Sequence, residues 1–396
     1  MVYLDYSATS PLIPEAKAAM LDAMELIGNP SSLHTPGHLA MNAIEEAREE
    51  IAKLINANPE EIIFTSGGSE SNNTITNIFA NDSVVVSAIE HPSLLESAKL
   101  RCKTTILPVD STGRVELKEA RRIKPVVSLV SIMLANNEIG TINDIKSLAK
   151  EAHKMSALFH TDATQALGKI KIDVKDLDID YMTLSAHKIG GPIGIGALYV
   201  KKGSPFKPLI IGGHQESGRR AGTYQTVNIV GFGAAAKYAR QNDLVKLYSE
   251  KIRPLQYELA KRILKEVPFA SINTPLNLKN LNSNSNLTLP NILNCSFEAA
   301  EGESIQLYLD AEGDIIASTG SACASGDGKP SHVIMATKDD AEIAHSSVRF
   351  SFGPHTTKKD IDLVMKYLPN IVNRLQQIST LKAGKIKKED SYYGKK

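Results

Sequence analysis

The strongest restriction on the fold of this chain is a repeated order of apolar strand, turn and helix between about residues 62 and 200. Segments such as EIIFTS, SVVVSAIE and PVVSLVSIML contain little polar surface, and each precedes a turn or a helical pattern. Strands that are apolar on both faces and alternate with helices are typical of a mostly parallel sheet covered on both sides. The sequence therefore predicts an α/β fold.

The segments on either side of these strands predict two domains. Two amphipathic helices come first, one after Pro14 and one with apolar positions from Ile44 to Ile55. A long helical stretch at 243–267 is expected to bridge two domains, and a mixed strand–helix order follows, ending in a helix from about 359 to 378. We predict a large domain at 15–256 and a small α+β domain made of 1–14 and 257–380. The basic segment 381–396 is interpreted as a flexible tail, and the Asn-rich segment 273–291 as a surface loop without a chemical role.

Charge and hydropathy limit the partners of the chain. Over 396 residues, the formal net charge is +1, so no overall field favours nucleic acid or an anionic membrane. The longest nearly apolar run, 125–135, is shorter than the roughly 18–20 residues that span a bilayer. The N-terminus has no secretion-signal pattern, and three cysteines form neither a disulfide framework nor a zinc site. We therefore expect a cytoplasmic protein without a metal.

A Gly-rich turn in TSGGSESNN follows a buried strand and opens a helix. Free backbone N–H groups at a helix start bind phosphate, Gly67 and Gly68 permit close approach, and Ser69 adds a hydroxyl. The spacing matches neither a Walker loop nor the dinucleotide pattern GxGxxG. The alternative interpretation is an ordinary glycine turn with a helix cap.

Five polar side chains fall at or just after the ends of predicted strands, which in a parallel sheet gather at one edge where ligands bind. They are His91, Asn137, Asp162, Gln165 and Lys188. A lysine in such a cleft can form a Schiff base, and an acid can face a pyridine nitrogen, which together indicate a pyridoxal phosphate (PLP) site. Taken singly, Lys188 also fits a surface lysine and His91 a helix-start histidine.

Two further residues suggest substrate chemistry. Cys323 lies in ASTGSACASGDGK, where little apolar bulk would bury it, whereas Cys102 and Cys295 fit structural positions. Arg349 stands in the apolar strand SVRFSF and needs an anion, either a substrate carboxylate or a structural ion-pair partner. Cys323 is accordingly a candidate nucleophile, with a chance loop cysteine as the alternative.

These segments together resemble the cysteine desulfurases of the class V aminotransferase family, PLP-dependent enzymes of fold type I. The similarity covers almost the whole chain to about residue 378, in order. The similar segments are YLDYSATSP, GNPSS, FTSGGSESNN, EHPS, NNEIG, HTDATQALGK, SAHKIGGPIGIGALYV, GGHQESGRRAGT, NILNCSF, GSACASG and AHSSVRFSFG.

The resemblance implies an enzyme that converts L-cysteine to L-alanine and passes the sulfur on as a persulfide, for iron–sulfur cluster assembly or tRNA thiolation. Lys188 would be the Schiff-base lysine, Cys323 the persulfide carrier, and His91 the residue that stacks on the PLP ring and moves protons. Arg349, with Asn29 near it, would bind the substrate carboxylate. The other implied contacts to PLP are Asp162 at the ring nitrogen, Asn137 and Gln165 at the ring oxygen, and Gly68, Ser69, Ser185, His187 and Thr223 at the phosphate.

The resemblance also implies partners. Thr223 would come from the other subunit, which implies a homodimer, and a sulfur-acceptor protein such as an iron–sulfur scaffold is expected. Tyr224, Gln225 and Ile193 depart from common family residues but coincide with no proposed catalytic position. The competing interpretations are selenocysteine lyase or another PLP enzyme of the same class, and an inactive sulfur-assembly subunit.

Overall fold

The computed structural model of this chain describes residues 1–120, 126–278, 287–319 and 330–380. The strands are Val2–Tyr3 (β1), Ile62–Thr65 (β2), Ser83–Ser87 (β3), Lys103–Leu107 (β4), Leu129–Ser131 (β5), Leu158–Asp162 (β6), Tyr181–Ser185 (β7), Gly196–Val200 (β8), Ala270–Ile272 (β9), Ile292–Phe297 (β10), Ile315–Ile316 (β11) and Ser347–Ser351 (β12).

The α-helices are Pro14–Met24 (α1), Thr35–Ile55 (α2), Gly68–Ile78 (α3), Pro92–Arg101 (α4), Leu117–Ala120 (α5), Ile145–Lys154 (α6), Val174–Leu177 (α7), Thr226–Gln241 (α8), Leu244–Leu247 (α9), Arg253–Glu266 (α10), Gly302–Gly313 (α11), His332–Lys338 (α12), Ala341–His345 (α13) and Lys358–Ile378 (α14). The predicted opening pair and the final helix are confirmed. The described helices include none that is long and apolar enough to cross a membrane.

The large sheet has the strand order β2-β8-β7-β6-β5-β3-β4. Strands β4, β3, β5, β6 and β7 run parallel, and β8 pairs antiparallel with both β7 and β2. The predicted α/β fold with a mostly parallel sheet is therefore confirmed. Because the five parallel strands point the same way, the segments that follow β3, β5, β6 and β7 meet at one edge.

Helices cover both faces of this sheet, which explains why its central strands β5, β6 and β7 are buried along almost their whole length. On one face, α2 and α8 contribute Ile44, Ile51 and Phe232 to a core with the sheet. On the other face, α3 and α4 contribute Ile75 and Leu94 to a second apolar layer. Burial on both sides removes the polar alternation of a half-exposed strand.

A separate core forms around the antiparallel sheet β12-β10-β9 and helices α10, α11 and α14. The start of the chain belongs to this core, since β1 pairs in parallel with β11 and Leu4 is fully buried. Between the two cores, α9, a π-helical turn at Tyr248–Ile252 and α10 follow one another without interruption. We retain the division at 15–256 and 257–380 as a proposal based on these two cores.

The interpretation of 273–291 as a surface loop is wrong for the parts of it that the structure describes. Asn273 is buried, and its Nδ2 donates to Asn294 Oδ1 at 2.8 Å and to Ser296 Oγ at 2.7 Å. Further along, Leu289 is fully buried and its N–H donates to Gly140 O at 2.7 Å. Asparagine side chains can be buried when they hydrogen-bond to one another, and the composition of a segment does not show which asparagines are paired in this way. Residues 279–286, and the predicted tail at 381–396, lie outside the described residues.

Candidate active site

A cavity of about 350 Å³ opens at the edge of the large sheet where the parallel strands end. This volume is in the range of small-molecule sites. Most of the side chains predicted from the sequence line it: Gly68, Ser69, His91, Asn137, Asp162, Gln165, Ser185, His187, Lys188 and Arg349. The pattern of strand ends therefore located one common site.

Lys188 lies in the 3₁₀ turn Ala186–Ile189, directly after β7. Gly190, with φ of 81°, ends this turn in a conformation that favours glycine. The Lys188 Nζ donates to the backbone oxygens of Ser7 and Ala8, each at 2.6 Å. The N-terminal segment thus passes directly beside the amine and holds it at the cavity.

Asp162 is the last residue of β6, and both of its carboxylate oxygens are already oriented. Oδ1 accepts from the Thr164 N–H at 2.9 Å, and Oδ2 accepts from Asn72 Nδ2 at 2.9 Å. The carboxylate is 6% exposed. Two donors fix it in one direction, as required of an acid that must face a ring nitrogen.

His91 caps the start of α4 and is held in one tautomer. Its Nδ1 accepts from the Ser93 N–H at 3.1 Å and lies 2.8 Å from Ser93 Oγ, which in turn accepts from Asn72 Nδ2. With Nδ1 as an acceptor, the neutral ring carries its hydrogen at Nε2. Burial lowers the pKa of His91, and the nearby Asp162 charge opposes this shift. The neutral imidazole with hydrogen on Nε2 is therefore the favoured form at neutral pH.

The start of α3 forms an anion cradle. Gly67, with φ of 150°, is its N-cap, and a Cβ on Gly196 would lie only 2.7 Å from Gly67 Cα. The acidic Glu70 in the first turn is paired with Arg220 Nε at 3.0 Å. Free N–H groups at a helix start favour an anion. The close backbone approach explains why small residues occupy this turn.

His187, which lines the cavity, and His160 of β6 both favour the neutral form. Burial, followed by the charges of Lys188 and Lys169, lowers the pKa of His187 to about 4. Burial lowers the pKa of His160 to about 4, and its ring nitrogens contact Ser131 Oγ and Thr183 Oγ1 at 2.7 and 3.0 Å. A neutral His187 can still donate one hydrogen bond to a phosphate.

Arg349 forms a structural ion pair, which is one of the two interpretations left open by the sequence, and binding of a substrate carboxylate stays a prediction. Its Nη2 forms an ion pair with Asp5 Oδ1 at 2.8 Å, and its Nη1 donates to Asn137 O at 3.1 Å. It nevertheless lines the cavity, and its buried Nε has no hydrogen-bond partner. The structural ion pair therefore orients the guanidinium and leaves one donor for a ligand.

Buried polar atoms without a hydrogen-bond partner cluster at this cavity. They are Ser7 Oγ, Asn72 Oδ1, Thr164 Oγ1, Gln165 Oε1 and Arg349 Nε. Buried polar atoms in folded proteins are nearly always satisfied, so such a cluster indicates a polar ligand. With an amine, an oriented carboxylate and an anion cradle in the same cavity, the residues fit PLP.

Comparison with known proteins places the chain in a family. Residues 2–364 match the family model described as class V aminotransferase. The chain is 43% identical over 395 residues to a cysteine desulfurase IscS from Dictyoglomus turgidum, covering 96% of this chain and 97% of that protein. This chain belongs to the class V aminotransferase family. A cysteine desulfurase IscS from Clostridium botulinum is 42% identical and covers 96% of each chain.

Solved structures of the same family have the same fold. A NifS-like protein aligns with a TM-score of 0.84 and 33% identity, covering 95% of this chain and 100% of the other. A NifS-like protein from Rickettsia africae aligns with a TM-score of 0.84 and 32% identity, covering 94% and 99%. Class V aminotransferases use PLP, and the predicted fold type I is that of these relatives.

Three predicted residues of this class V aminotransferase are not among those that line the cavity. Asn29 is exposed, and its Oδ1 accepts from the Ser31 N–H at 2.9 Å. Thr223 is exposed as well. Cys323 lies outside the described residues. Burial raises the pKa of Cys102 to about 11 and raises the pKa of Cys295 above its ordinary value, so both thiols disfavour the nucleophilic thiolate.

Sequence reasoning missed four polar residues that complete the cavity: Ser7, Asn72, Ser93 and Thr164. Asn72 and Thr164 stand in motifs that were noted for other residues, namely TSGGSESNN and HTDATQ. Asn72 lies one helical turn after Gly68, and a helix that starts at the cradle brings such a position back to the cavity. That periodicity was available in the sequence.

Proposed function

We propose that this chain is a PLP-dependent cysteine desulfurase that takes sulfur from L-cysteine and releases L-alanine. The observation that supports this best is the single cavity that joins Lys188, Asp162, His91 and Arg349. Its relatives carry the name cysteine desulfurase, which favours this activity over selenocysteine lyase or an inactive subunit.

The proposed transfer conserves atoms and electrons. The Cys323 thiolate attacks the sulfur of the substrate, an S–S bond forms, and the Cβ–S bond of the substrate breaks. The electron pair of that bond stays on Cβ, which takes up a proton to become the methyl group of alanine. The sulfur that moves is oxidised to a persulfide on Cys323 while the substrate carbon is reduced. No external oxidant is required.

Several side chains would hold the cofactor. Lys188 would form the covalent bond, Asp162 would face the ring nitrogen, and His91 would stack on the ring. Gln165 donates from Nε2 to Ser7 O at 2.9 Å, and its buried Oε1 has no hydrogen-bond partner among the described residues. When bound, PLP supplies an electron-accepting ring that stabilises negative charge at the α-carbon of an amino acid. Gly68, Ser69, Ser185 and His187 would contact its phosphate.

The protein would supply the acids, bases and anchors. Lys188 Nζ would move the α-proton of the substrate, and the hydrogen at His91 Nε2 would exchange with the substrate thiol. Arg349 Nε would bind the carboxylate, while Asp5 keeps the guanidinium in place. Each role uses an atom that the cavity already orients.

The position of Cys323 in the chain is compatible with this role. Ser318 and Arg349 exchange two backbone hydrogen bonds, of 3.2 and 2.6 Å. Cys323 follows Thr319 by four positions, so the two Cα atoms lie at most about 14 Å apart. Because Ser318 is bonded to the strand of Arg349, which lines the cavity, this closeness in sequence supports a role for Cys323 there.

We also propose a homodimer that acts in the cytoplasm and passes sulfur to an acceptor protein, such as an iron–sulfur scaffold. Thr223 is exposed and would reach the cavity of the second subunit. A second subunit would cover large apolar side chains that are exposed on this one: Leu21, Met24, Ile27, Leu33, Leu39, Ile193 and Ile211. Large exposed apolar patches are typical of protein–protein interfaces.

Two substitutions test the proposal together. Cys323→Ser is expected to retain the absorption of bound PLP and to lose alanine and sulfide production from L-cysteine. Lys188→Ala is expected to lose the borohydride-reducible absorption. Cys102→Ser is the matched control, with turnover unchanged. Wild-type turnover in Cys323→Ser, or a reducible band in Lys188→Ala, would refute the corresponding role.

A further inference from the structure

The segment between β8 and α8 is bonded to the anion cradle of its own chain. Arg220 donates from Nε and Nη2 to the two carboxylate oxygens of Glu70, at 3.0 and 3.1 Å. Glu70 lies in the first turn of α3, and its Oε2 also accepts from the Ser66 N–H at 2.7 Å. Arg220 is therefore connected, through Glu70, to both sides of the glycine pair at 67–68.

The charge of Glu70 explains why an arginine is needed here. Glu70 follows Ser69, which lines the cavity and is expected to contact the cofactor phosphate. Burial opposes ionisation of Glu70, but the hydrogen bonds from Arg220 and Ser66 outweigh it and lower the pKa of the carboxyl. A carboxylate without a counter-charge would repel a phosphate at this distance. The ion pair therefore makes the cradle compatible with an anion.

A second attachment fixes the same segment to the strand that precedes the cradle. Glu216 is 3% exposed, and its oxygens accept from Arg48 Nη2 and Nη1 at 2.7 and 2.8 Å and from the Phe64 N–H at 2.9 Å. Glu216 and Ser217 have φ of 52° and 57°, which residues other than glycine rarely adopt. Such strain persists only where surrounding contacts enforce it. The path of this segment is thus set by its attachments.

Thr223 lies between two bonded neighbours in this segment. The Gly222 N–H donates to Gln215 Oε1 at 3.1 Å, and the Tyr224 hydroxyl accepts from the Glu216 N–H at 2.8 Å. Thr223 itself is exposed and does not line the cavity that the described residues of its own chain form. The segment therefore presents Thr223 outwards while it is attached to its own cradle.

We propose that Arg220 is a positioning residue that acts across the dimer. By binding Glu70 of its own cradle, it sets the position from which Thr223 reaches the cofactor phosphate in the partner subunit. This inference rests on the proposed function, namely on PLP binding and on the homodimer. Each cofactor site would then depend on an ion pair that lies in the other subunit.

Mixed dimers test this inference, because they separate an effect within one subunit from an effect across the interface. The two subunits carry different affinity tags, and one of them carries Lys188→Ala, so that the Schiff-base absorption reports only the site of the other. Arg220→Gln is placed either in the Lys188→Ala subunit, where it can act only across the interface, or in the reporting subunit. The apoenzyme is titrated with PLP, and the absorption gives the Kd of the reporting site.

Two further substitutions, each placed in the Lys188→Ala subunit, serve as controls. Thr223→Val removes the hydroxyl that is expected to reach the partner. Arg240→Gln is the matched control, since it removes an arginine–glutamate pair of 2.8 Å to Glu50 between α8 and α2. Sedimentation confirms that every preparation is a dimer.

We expect Arg220→Gln to raise the Kd for PLP about tenfold across the interface, the usual effect of losing a hydrogen bond to a charged group. Thr223→Val should have the same effect, and Arg240→Gln none. Arg220→Lys keeps the charge but not the two parallel hydrogen bonds, so a rise of about threefold is expected.

Two results would overturn the inference. A weaker Kd only when Arg220→Gln is in the reporting subunit would mean that the ion pair serves its own cradle alone. An equal loss with Arg240→Gln would mean that any broken ion pair loosens the dimer. Should Arg220→Gln not form dimers, Tyr224→Phe decides on the same criteria, since it removes the hydrogen bond from Glu216 and should raise the Kd about threefold.

Failure of the proposed function would look different. If Thr223→Val leaves the Kd of the partner site unchanged, Thr223 does not contact the phosphate there, and its proposed role is refuted together with this inference. If the mixed dimer with Lys188→Ala alone shows no Schiff-base absorption, PLP is not bound as proposed. A loss with Thr223→Val but not with Arg220→Gln refutes the role of Arg220 alone.

Discussion

The floor and the rim of the cavity are built in different ways. The floor consists of Gly68, His91, Asp162 and Lys188, which follow strands of one sheet. The rim consists of Asn137 and Arg349, which line the cavity, and of the residues bonded to them or to the turn that contains Asn137, namely Asp5, Glu138 and Ser331. The floor is thus fixed by the geometry of the large sheet. The rim also depends on the separate core around β12-β10-β9, because Arg349 lies in β12. We expect floor substitutions to change the chemistry and rim substitutions to change substrate affinity.

The largest effect should come from the floor. Asp162→Asn removes the charge that would face the ring nitrogen, and we expect kcat for L-cysteine to fall about a hundredfold, as when other oriented electrostatic groups are removed. The matched control is Asp180→Asn, a buried acid that accepts from the Phe159 N–H at 2.8 Å and does not line the cavity. Steady-state kinetics check the result. Equal losses in both variants would assign Asp162 a structural role only.

A smaller and different effect is expected at the rim. Arg349→Gln removes a donor to the substrate carboxylate, so KM for L-cysteine should rise at least about tenfold, with a smaller change in kcat. Arg253→Gln is the control, since Arg253 is also buried but donates to Thr288 O at 2.9 Å away from the cavity. A fall in kcat at constant KM would show that floor and rim do not differ in this way.

The smallest effect concerns stability at the boundary between the two regions. Burial, opposed by hydrogen bonds from Ser87 and Met133, raises the pKa of Glu90 to about 8. The folded protein therefore binds a proton that the unfolded chain releases above its ordinary pKa of about 4.5. Stability contributed by protonated Glu90 is present below that value and is lost as pH rises towards 8.

Glu90→Gln should consequently raise Tm by a few degrees at pH 9 and have little effect at pH 4. Glu61→Gln is the control, and its Tm is expected to fall and not to rise. The carboxylate oxygens of Glu61 accept from the N–H groups of Lys202 and Asn58 at 3.0 and 2.8 Å, so its loss should destabilise at neutral pH. Thermal unfolding across this pH range checks both, and a Glu90→Gln effect that does not grow with pH would contradict the assignment.

The same comparison explains how much the sequence predicted. The strands and most of the floor followed from local periodicity, because side chains at the ends of parallel strands must meet at one edge. The rim could not be predicted from local periodicity. The contact between Glu138 and Ser331 joins residues 193 positions apart, and the Arg349–Asp5 pair joins residues 344 positions apart, so no local pattern encodes them. An arginine in an apolar strand indicated an anion, but not which one.

For the Asn-rich segment, the sequence led to a wrong prediction and not to a missing one. Composition predicted exposure, yet Asn273 and Thr288 are buried, and Leu289 binds the backbone at Gly140 next to the rim. A polar residue can be buried when its partner is another polar residue brought in by the fold, and composition does not contain that partner. Contacts of this kind around the second core were the least predictable part of the molecule.

The pairing of β1 with β11 has a consequence during protein synthesis. Residue 2 meets residue 315 in the finished fold, so at about 5–20 residues per second the first strand waits on the order of 15 to 60 s before its neighbour leaves the ribosome. During translation the large sheet can assemble first, with its nascent cleft still open on one side. The carbonyls of Ser7 and Ala8 that hold Lys188 would then be among the last groups to arrive, although they are among the first to be made.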